Sequence, residues 1–528
     1  MLVLGINGGF GGGYQDVAAV LVENNTVLAA VEEERLNRIK HSKGQIPFLA
    51  IREVLDIADK NFSDVDKVAF HGATWGNQIV EDLQNYFQAH FGSCPKLELH
   101  HHHKCHAASV FYLSPFKNSL VITADNSGDG DSIHIYKASK GSGFQLLETY
   151  KRPQSFGVFY SLITQYCGFQ KDRDEFKLMA LAAMGKPNLD LSFLMKFENG
   201  KLHLNEAYLI SIPPKTPSPT EQKMLFNEKF EQKIGFAKAL PGNPSKFHFD
   251  LAASAQNQLE VVMTQLVSFW LKKTGEKNLC FAGGVALNGK LNGKLADITN
   301  GKLYTNCCSN DSGISLGAAF LSNTPTRRVQ DNPFLGRAFK NDEIENSLKE
   351  VGIKYQNIDD SYKTAQKLIL DKKFIGFYKG KSEFGPRALV NRSILANPHI
   401  EEVKQKLNKR IKFREGFRPF GIVIREQDLQ KYFETNQPAS PFMNMVFKVT
   451  EGYKDLFKEV IHFDGTVRVQ TVSNKFPLLS DDLPFVINTS FNHNKEPMVY
   501  APIDAIRTFF GSGLDYLILE NFLIEKPK

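Results

Sequence analysis

The chain has 528 residues and carries 64 Lys and Arg residues against 57 Asp and Glu residues, an excess of seven positive charges. Because this length exceeds what one ordinary hydrophobic core accommodates, two or three domains are expected. The 42% hydrophobic and 23% charged composition is typical of globular proteins and excludes a disordered or collagen-like chain.

The first residues and the cysteines indicate a compartment. Residues 1–9 lack the basic and long apolar parts of a signal peptide, and no apolar run is long enough for a membrane-spanning helix. The six cysteines include no Cys-x-x-Cys pair, and a few free thiols suit a reducing environment. We therefore expect a cytoplasmic protein that has no membrane partner.

Two parts of the N-terminal region share one pattern, in which a loop containing glycines lies between β-rich runs. The first starts at Val3, turns in the loop Gly8–Gly13 and continues in two further β-rich runs. The second has the run Leu120–Ala124, the loop Asp125–Asp131 and another β-rich run. This weak internal repeat predicts two related half-domains.

A histidine-rich segment, His100–His106, is a candidate metal site. If it is helical, His102 and His106 lie one turn apart and point two imidazoles at one cation. Asp125 and Asp311 each lie in a loop with glycines after an apolar run, so either carboxylate could reach the same point. Such a set favours Fe, Zn or Mn over Ca. The alternatives are a polar histidine-rich loop without metal, and an N-cap role for Asp311.

The next elements resemble a nucleotide-binding turn. A helix is predicted from Asp250, as its N-cap, to Gly275, and the strand Leu279–Ala282 then runs directly into Gly283 and Gly284. A double glycine between a strand and a helix lets the backbone approach a phosphate closely. A purely structural turn is the alternative.

The strongest charge feature lies after the linker-like runs 323–328 and 331–336, where a second domain is predicted to begin. The segment Lys379–Arg418 holds eleven Lys or Arg residues and four Glu residues, so its balance of 11 − 4 = +7 equals the excess of the whole chain. Arg387 and Arg418 stand among Phe and Pro residues, a setting that favours a rigid guanidinium for an anion. RNA binding is the alternative, but basic and aromatic residues do not alternate as in a base-stacking surface.

Together these motifs resemble the NodU/CmcH family of O-carbamoyltransferases. The resemblance extends over nearly the whole chain, and its motifs occur in the family's order. The motifs are Glu32-Glu-Glu-Arg35 with Arg38 and Lys40-His41, His102 to Ala107, Glu175 to Ala182, Gly283 to Asn288, Asn310 to Gly313, Glu383 to Leu389, Asn391 to Ala396, Arg414 to Phe420, Asp464 to Gln470, and Asn488 to Asn492.

The resemblance implies an α/β protein in two parts. Residues 1–335 would form a duplicated actin/hexokinase-type domain similar to TsaD, and residues 336–528 a twisted, open α/β domain similar to YrdC. The second would join carbamoyl phosphate and ATP into a carbamoyl-adenylate. The first would then transfer the carbamoyl group to a hydroxyl of a small acceptor, such as a sugar or secondary metabolite, with no nucleic-acid partner.

The resemblance also implies roles for individual residues. The metal ligands would be His102, His106 and Asp311, holding Fe²⁺ or another divalent metal, with Mg²⁺ as a further candidate. The catalytic residues would be Asp16, Lys40, Asp125, Arg387 and Arg418. The residues that bind nucleotide and carbamoyl phosphate would be Glu175, Lys177, Gly283, Gly284, Asn288, Lys379, Lys381, Arg468, Asn488 and Asn492.

The chain departs from the family pattern at two places. The family usually has His-Asp in the first glycine loop, whereas this chain has Gln15-Asp16, so Asp16 or water would have to deprotonate the acceptor. The usual Gln-Gly-Arg is here Lys379-Gly-Lys381, which retains positive charge but loses the bidentate fork of arginine.

Two other functions remain as alternatives. The first is a transferase that makes threonylcarbamoyl-adenosine on tRNA, because TsaD and YrdC serve that pathway. The second is a non-catalytic protein that binds nucleic acid or another partner and retains a vestigial ATP site, which the basic segment would suit.

Overall fold

A computed structural model describes residues 1–10, 15–212, 223–235 and 244–527 of the chain. Gly11, Gly12 and Gly13 of the predicted first glycine loop lie outside the described residues. None of the described helices is long and apolar enough to cross a membrane.

The first sheet is mixed and lies at the N-terminus. Its strands are β1 (Leu2–Asn7), β2 (Ala18–Glu23), β3 (Thr26–Glu32), β4 (Lys67–His71) and β5 (Lys96–His100). They are arranged in the order β3-β2-β1-β4-β5, antiparallel among the first three and parallel from β1 to β5. Every residue of β1 is buried, as expected for a central strand covered on both faces.

The second sheet repeats this arrangement. The strands from residue 118 to residue 304 are β6 (Asn118–Gly128), β7 (Asp131–Ser139), β8 (Gly143–Lys151), β9 (Met195–Glu198), β10 (Lys201–Leu204), β11 (Leu209–Ile212), β12 (Lys223–Phe226), β13 (Leu279–Ala282) and β14 (Leu303–Tyr304). The sheet order is β8-β7-β6-β13-β14, and its antiparallel and parallel pairs match those of the first sheet position by position. The predicted pair of related half-domains is therefore confirmed.

Ten helices accompany these two sheets among the described residues. They are α1 (Glu33–Asn37), α2 (Phe48–Ile57), α3 (Asn77–Phe91), α4 (His102–Leu113), α5 (Phe156–Tyr166), α6 (Glu175–Ala182), α7 (Glu228–Ile234), α8 (Lys246–Thr274), α9 (Gly289–Ile298) and α10 (Ser312–Ser322). The N-cap of helix α8 is Ser245, five residues before the predicted N-cap Asp250, whose carboxylate instead accepts the Lys186 N–H.

Helices α4 and α10 pack against each other between the two sheets, with α10 against β1, β2 and β4 and α4 against β6 and β13. Glycine makes the close helix contact feasible, since a Cβ on Gly317 would collide with the Cys105 carbonyl oxygen. The N-termini of both helices consequently lie near one point, which brings the histidines of α4 close to Asp311.

A third, ten-stranded sheet contains the rest of the chain. Its strands are β15 (Gln356–Asn357), β16 (Ile375–Tyr378), β17 (Arg392–Ala396), β18 (Gly421–Arg425), β19 (Phe433–Glu434), β20 (Met445–Val449), β21 (Thr466–Val472), β22 (Phe485–Ser490), β23 (Tyr516–Leu519) and β24 (Phe522–Glu525). Their order is β15-β24-β23-β16-β17-β22-β18-β21-β20-β19. The helices of this part are α11 (Asn341–Glu350), α12 (Ser361–Leu370), α13 (Val403–Lys406), α14 (Leu429–Tyr432) and α15 (Pro502–Phe510).

The α/β class is thus confirmed, with a duplicated N-terminal part and a separate C-terminal sheet. The predicted division between residues 335 and 336 falls between α10 and α11, on the connection between these two parts. The exact boundary stays a prediction, because buried side chains from both parts share continuous hydrophobic clusters.

The two parts are joined by a buried contact at Gly385. The Gly385 N–H donates to Glu32 Oε1 at 2.7 Å, and Arg35 Nη2 donates to the Gly385 carbonyl at 2.9 Å. Gly385 has a φ of 109°, and a Cβ there would collide with the Cys307 carbonyl oxygen. Only glycine fits both the conformation and the space.

Gly385→Ala should therefore destabilise the protein by about 2 kcal/mol or more, because it combines a disfavoured φ with a backbone collision. The matched control is Gly452→Ala, since a Cβ on Gly452 meets no atom within 4 Å. Thermal unfolding followed by circular dichroism would compare the two variants. Equal midpoints for both would contradict the role assigned to Gly385.

Candidate active site

A cavity of about 500 Å³ lies between the two parts of the chain and receives side chains from both. Most of the sequence-predicted site residues line it. They are Asp16, Lys40, Asp125, Glu175, Lys177, Gly284, Asn288, Asp311, Arg387, Arg418, Arg468 and Asn492. Residues far apart in the sequence thus meet at one site of the size usual for small-molecule pockets.

Two aspartates that line the cavity, Asp125 and Asp311, belong to a cluster with two buried histidines, His102 and His106. Helix α4 begins at His102, as predicted, and places His106 one turn further along. His106 Nε2 lies 3.3 Å from Asp125 Oδ2 and 3.4 Å from Asp311 Oδ1, while His102 Nε2 lies 3.7 Å from Asp125 Oδ2. Asp311 occupies the N-cap position of α10 but caps no backbone N–H, so its carboxylate is free to face the histidines.

The donor set of this cluster fits a divalent metal ion. One ligand atom from each of the four residues lies within 4.8 Å of all the others. The Nε2 atoms of His102 and His106 are buried and form no hydrogen bond of good geometry among the described residues. Burial lowers the pKa of His106, but Asp125 and Asp311 outweigh it and raise that pKa to about 9. Two carboxylates with two imidazoles suit Fe, Zn or Mn.

The backbone of the predicted nucleotide turn holds one of these carboxylates. The Gly284 N–H donates to Asp125 Oδ2 at 3.1 Å. Gly283 lies just outside the residues that line the cavity, has a φ of 95° and passes so close to Ala124 that a Cβ would collide with the Ala124 carbonyl oxygen. The Gly283-Gly284 turn therefore orients the Asp125 carboxylate through the Gly284 N–H.

The C-terminal part supplies cationic side chains to the cavity lining, among them Arg387, Lys412, Arg414, Arg418 and Arg468. Of these five, only Arg418 pairs with a carboxylate of the described parts of the chain, that of Glu415. Among the described residues, neither Arg387 nor Arg468 has a carboxylate within ion-pair distance. Burial and the charges of Arg387 and Arg418 lower the pKa of Arg468 to about 9, and burial and Arg418 lower that of Arg387 to about 10. A cluster of this kind is suited to a multiply charged anion.

Lys412 and Arg414 received no individual role from the sequence. In the structure, Lys412 is buried and its Nζ donates to Asn492 Oδ1 at 2.6 Å and to the Ser490 carbonyl at 2.7 Å. Burial, Arg414 and Arg418 lower the pKa of Lys412 well below its usual value. Asn492 therefore positions the Lys412 ammonium group at the cavity.

Glu383 explains why Arg387 projects into the cavity. Its carboxylate is buried and accepts hydrogen bonds from the backbone N–H groups of Leu389, Asn391 and Arg392 at 2.7 to 3.1 Å. These bonds close the loop into which the Phe-Gly-Pro-Arg sequence is folded. The sequence contained a signal for this role, since an acidic residue before a Gly-Pro turn often accepts loop N–H groups.

Helix α6 supplies further predicted residues. Glu175 Oε1 accepts from Ser161 Oγ at 2.6 Å, and Lys177 Nζ lies 3.2 Å from Asp174 and 3.1 Å from Glu415 of the C-terminal part. Arg418 stacks on the Phe176 ring at 4.6 Å. Helix α6 thus links the two parts at the cavity's edge.

Four predicted binding residues lie outside the cavity lining of the described chain, namely Gly283, Lys379, Lys381 and Asn488. Lys379 Nζ pairs with Glu520 Oε2 at 3.1 Å and Lys381 is exposed, so the anion-binding role of these two stays a prediction. Asn488 is fully buried and donates to the Ala388 carbonyl at 3.0 Å, which supports the loop behind Arg387. Asn288, in contrast, lines the cavity and caps α9.

A histidine and a carboxylate form a pair close to the metal-type cluster. His41 Nδ1 lies 2.6 Å from Asp16 Oδ1, and Asn310 donates to Asp16 Oδ2 at 2.8 Å. Lys40 Nζ pairs with Glu34 at 2.8 Å. The sequence assigned no role to His41, because residues 16 and 41 are related only through the fold.

Comparison with known families agrees with this arrangement. Residues 78–320 match the family model described as the carbamoyltransferase N-terminus, and residues 366–526 match the one described as the carbamoyltransferase C-terminus. The chain belongs to the carbamoyltransferase family and is a carbamoyltransferase, which confirms the resemblance read from the sequence motifs.

Curated relatives span most of the chain. Nodulation protein NolNO of Sinorhizobium fredii is 34% identical over 100% of this chain and 83% of its own length. Nodulation protein NolO of Bradyrhizobium diazoefficiens is 34% identical over 80% of this chain and 78% of its own length. The uncharacterized protein MJ1051 of Methanocaldococcus jannaschii is 31% identical over 100% of both chains.

Solved structures resemble the chain only weakly. The activator of 2-hydroxyisocaproyl-CoA dehydratase from Clostridium difficile, with bound ADPNP, aligns at a TM-score of 0.36 and 16% identity over 68% of this chain and 100% of its own. HypF in its phosphate- and nucleotide-bound form aligns at a TM-score of 0.34 and 15% identity over 61% of this chain and 46% of its own.

The histidine–aspartate cluster predicts metal binding that depends on His106. Protein purified without a tag, stripped with chelator and titrated with Fe²⁺ or Zn²⁺ should bind about one ion per chain. His106→Ala should weaken binding at least about 100-fold, because a ligand is lost. The control is His203→Ala, since His203 is exposed on β10. Unchanged affinity in His106→Ala, measured by elemental analysis after gel filtration, would contradict the site.

Because Arg387 and Arg468 have no carboxylate partner among the described residues, we expect them to lower the thermal stability of the ligand-free protein and to bind anions. Arg468→Met should raise the midpoint of thermal unfolding without ligand by about 2–4 °C, because a half-buried charge beside two arginines is removed. Pyrophosphate should raise the midpoint of the wild type but not of this variant.

The pH dependence of this effect follows from the pKa of Arg468, which folding lowers to about 9. A cation whose pKa is lowered by folding destabilises the protein below that pKa and less above it, so the advantage of Arg468→Met should shrink above about pH 9. Arg327→Met, at an exposed arginine, is the control. A pyrophosphate shift that survives in Arg468→Met would argue against the anion site.

Proposed function

We propose that the protein is an ATP-dependent O-carbamoyltransferase that makes a carbamoyl-adenylate from carbamoyl phosphate and ATP. It then transfers the carbamoyl group to a hydroxyl of a small acceptor, such as a sugar or secondary metabolite. The observation that carries the proposal is that one cavity is lined both by a cation-rich cluster from the C-terminal part and by Asp125 and Asp311 of the metal-type cluster.

The cation cluster suits the activation step. Carbamoyl phosphate and ATP together bring several negative charges. Among the described residues, Arg387 and Arg468 have no carboxylate partner, and Arg418 beside them pairs with Glu415 at 3.5 Å. Fixed guanidinium groups in a half-buried site stabilise charge that develops on departing phosphate and pyrophosphate. The exchange of phosphate for AMP leaves the carbamoyl carbon attached to a good leaving group.

The metal-type cluster suits the transfer step. A bound divalent ion, Fe²⁺ by family resemblance, would supply Lewis acidity toward a carbonyl or nucleotide phosphate oxygen. His102, His106, Asp125 and Asp311 would hold it, and Gly284 fixes the orientation of Asp125. Because the arginines, Asp125 and Asp311 line the same cavity, an adenylate formed at the arginines would react without release, which favours transfer over hydrolysis.

The volume of the cavity favours a small acceptor. About 500 Å³ is within the usual range for small-molecule sites, and the nucleotide would occupy a substantial share of it. A hydroxyl of an acceptor that enters beside Asp16 would lie on the same side as the metal-type cluster, since Asn310 bonds Asp16 and precedes Asp311.

Pyrophosphate release tests the proposal. Metal-loaded protein given ATP and carbamoyl phosphate should release pyrophosphate, with no dependence on threonine. Arg387→Gln should lower kcat/KM for this reaction at least about 100-fold, because the fixed charge is removed. Arg327→Gln, at an exposed arginine, should stay within about twofold of the wild type.

Two results would overturn the proposal. Wild-type protein that releases no pyrophosphate from both substrates together would remove the adenylate step. Pyrophosphate release that requires threonine and bicarbonate in place of carbamoyl phosphate would assign the chain to the threonylcarbamoyl alternative.

A further inference from the structure

We propose that His41 is the general base that deprotonates the acceptor hydroxyl, with Asp16 as the residue that positions it. The proposal rests on the proposed function and adds a catalytic residue to it. The sequence pointed to Asp16 or water for this task, whereas the geometry points to the imidazole that Asp16 holds.

The Asp16–His41 pair has the geometry of an oriented base. Nδ1 of His41 is engaged by Asp16 Oδ1 at 2.6 Å, so the Nδ1 proton lies toward the carboxylate and Nε2 carries the lone pair. The His41 side chain is 31% exposed and lines the cavity, and no described residue bonds its Nε2. A lone pair that faces a substrate cavity is what proton abstraction requires.

The backbone on both sides of the pair is held in place. Asp16 has a φ of 52° and His41 a φ of 66°, two left-handed conformations that L residues seldom adopt. The His41 N–H donates to Glu34 Oε2 at 2.6 Å, and Asn310 donates to the second oxygen of Asp16 at 2.8 Å. Such outliers persist only where surrounding contacts enforce them, and they concentrate at functional sites.

Charged groups around the imidazole support a carboxylate-held base. Burial raises the pKa of Asp16, but hydrogen bonds from His41 and Asn310 outweigh it, so the pKa is lowered and the carboxylate stays ionised. The other charged groups facing His41 are Glu34, whose pKa is also lowered, and Lys40, which pairs with Glu34. Neither Glu34 nor Lys40 competes for the imidazole as Asp16 does, because they bond each other.

The transfer step balances with this assignment. His41 Nε2 takes the proton of the acceptor O–H, and the acceptor oxygen forms a bond to the carbamoyl carbon. The bond between that carbon and the AMP phosphate oxygen breaks, and AMP leaves with the bonding electron pair. The imidazolium then releases its proton to solvent, and the products are a carbamoyl ester, AMP and one proton.

A comparison of two nucleophiles tests whether His41 is a general base or only a structural residue. The enzyme forms carbamoyl-adenylate from ATP and carbamoyl phosphate, and either glycerol in water or hydroxylamine is added as the acceptor. The measured products are AMP, carbamoyl glycerol and hydroxyurea. Alcohols and water need a base to attack, whereas hydroxylamine attacks as the neutral amine without one. The variant is His41→Gln, which keeps a donor to Asp16, and the control is His203→Gln.

We expect His41→Gln to lower transfer to glycerol and water about 100-fold or more. Pyrophosphate release and hydroxylamine capture should stay within about threefold of the wild type. The wild-type transfer rate should fall toward acid pH as His41 is protonated, and this acid limb should be absent from His41→Gln.

Each other outcome counts against the proposal. An equal loss of glycerol transfer and hydroxylamine capture in His41→Gln would make His41 a structural residue. Unchanged glycerol transfer with an intact acid limb would assign the base to another group. In both cases pyrophosphate release by the wild type keeps the proposed function standing, whereas its absence would remove the function itself.

Discussion

The contact on which the site depends is the one that holds Gly385 between Glu32 and Arg35. It is buried, it uses the backbone of the C-terminal part and the side chains of the N-terminal part, and it excludes any Cβ. Burial and the neighbouring Glu34 raise the pKa of Glu32 to about 7, although Arg35 opposes the shift. Breaking this contact would displace Arg387, two residues further on, from the cavity that both parts build.

The charged side chains of the cavity are distributed unevenly between the two parts of the chain. Its C-terminal wall presents arginines whose mutual repulsion and burial lower their pKa values, and its N-terminal wall presents carboxylates beside imidazoles. The arginines by themselves destabilise the folded chain, since buried charges without partners are unfavourable. Substrate anions would offset this cost, so the charges that weaken the empty protein are those that bind its ligands.

Sequence patterns predicted the parts of the site that depend on local spacing. The turn between His102 and His106 is a property of one helix, and the duplicated strand pattern is a property of runs of about six residues. Arg387 and Arg418 were separable from the rest of the basic segment because prolines and aromatics surround them. Lys379 pairs with Glu520, which is 141 residues away, and no local pattern reveals this ion pair.

Motifs in one chain were sufficient for the α/β class, the internal duplication and the carbamoyltransferase family, because each rests on residues close together or in a fixed order. The assembly of these motifs into one cavity required the tertiary structure. The pairing of Asp16 with His41 and the exclusion of Lys379 and Lys381 from the lining depend on side-chain distances between segments. Those distances are set by how the sheets pack. Only the fold shows that several of the basic residues behind the excess of seven positive charges line a cavity together with aspartates of the histidine–aspartate cluster.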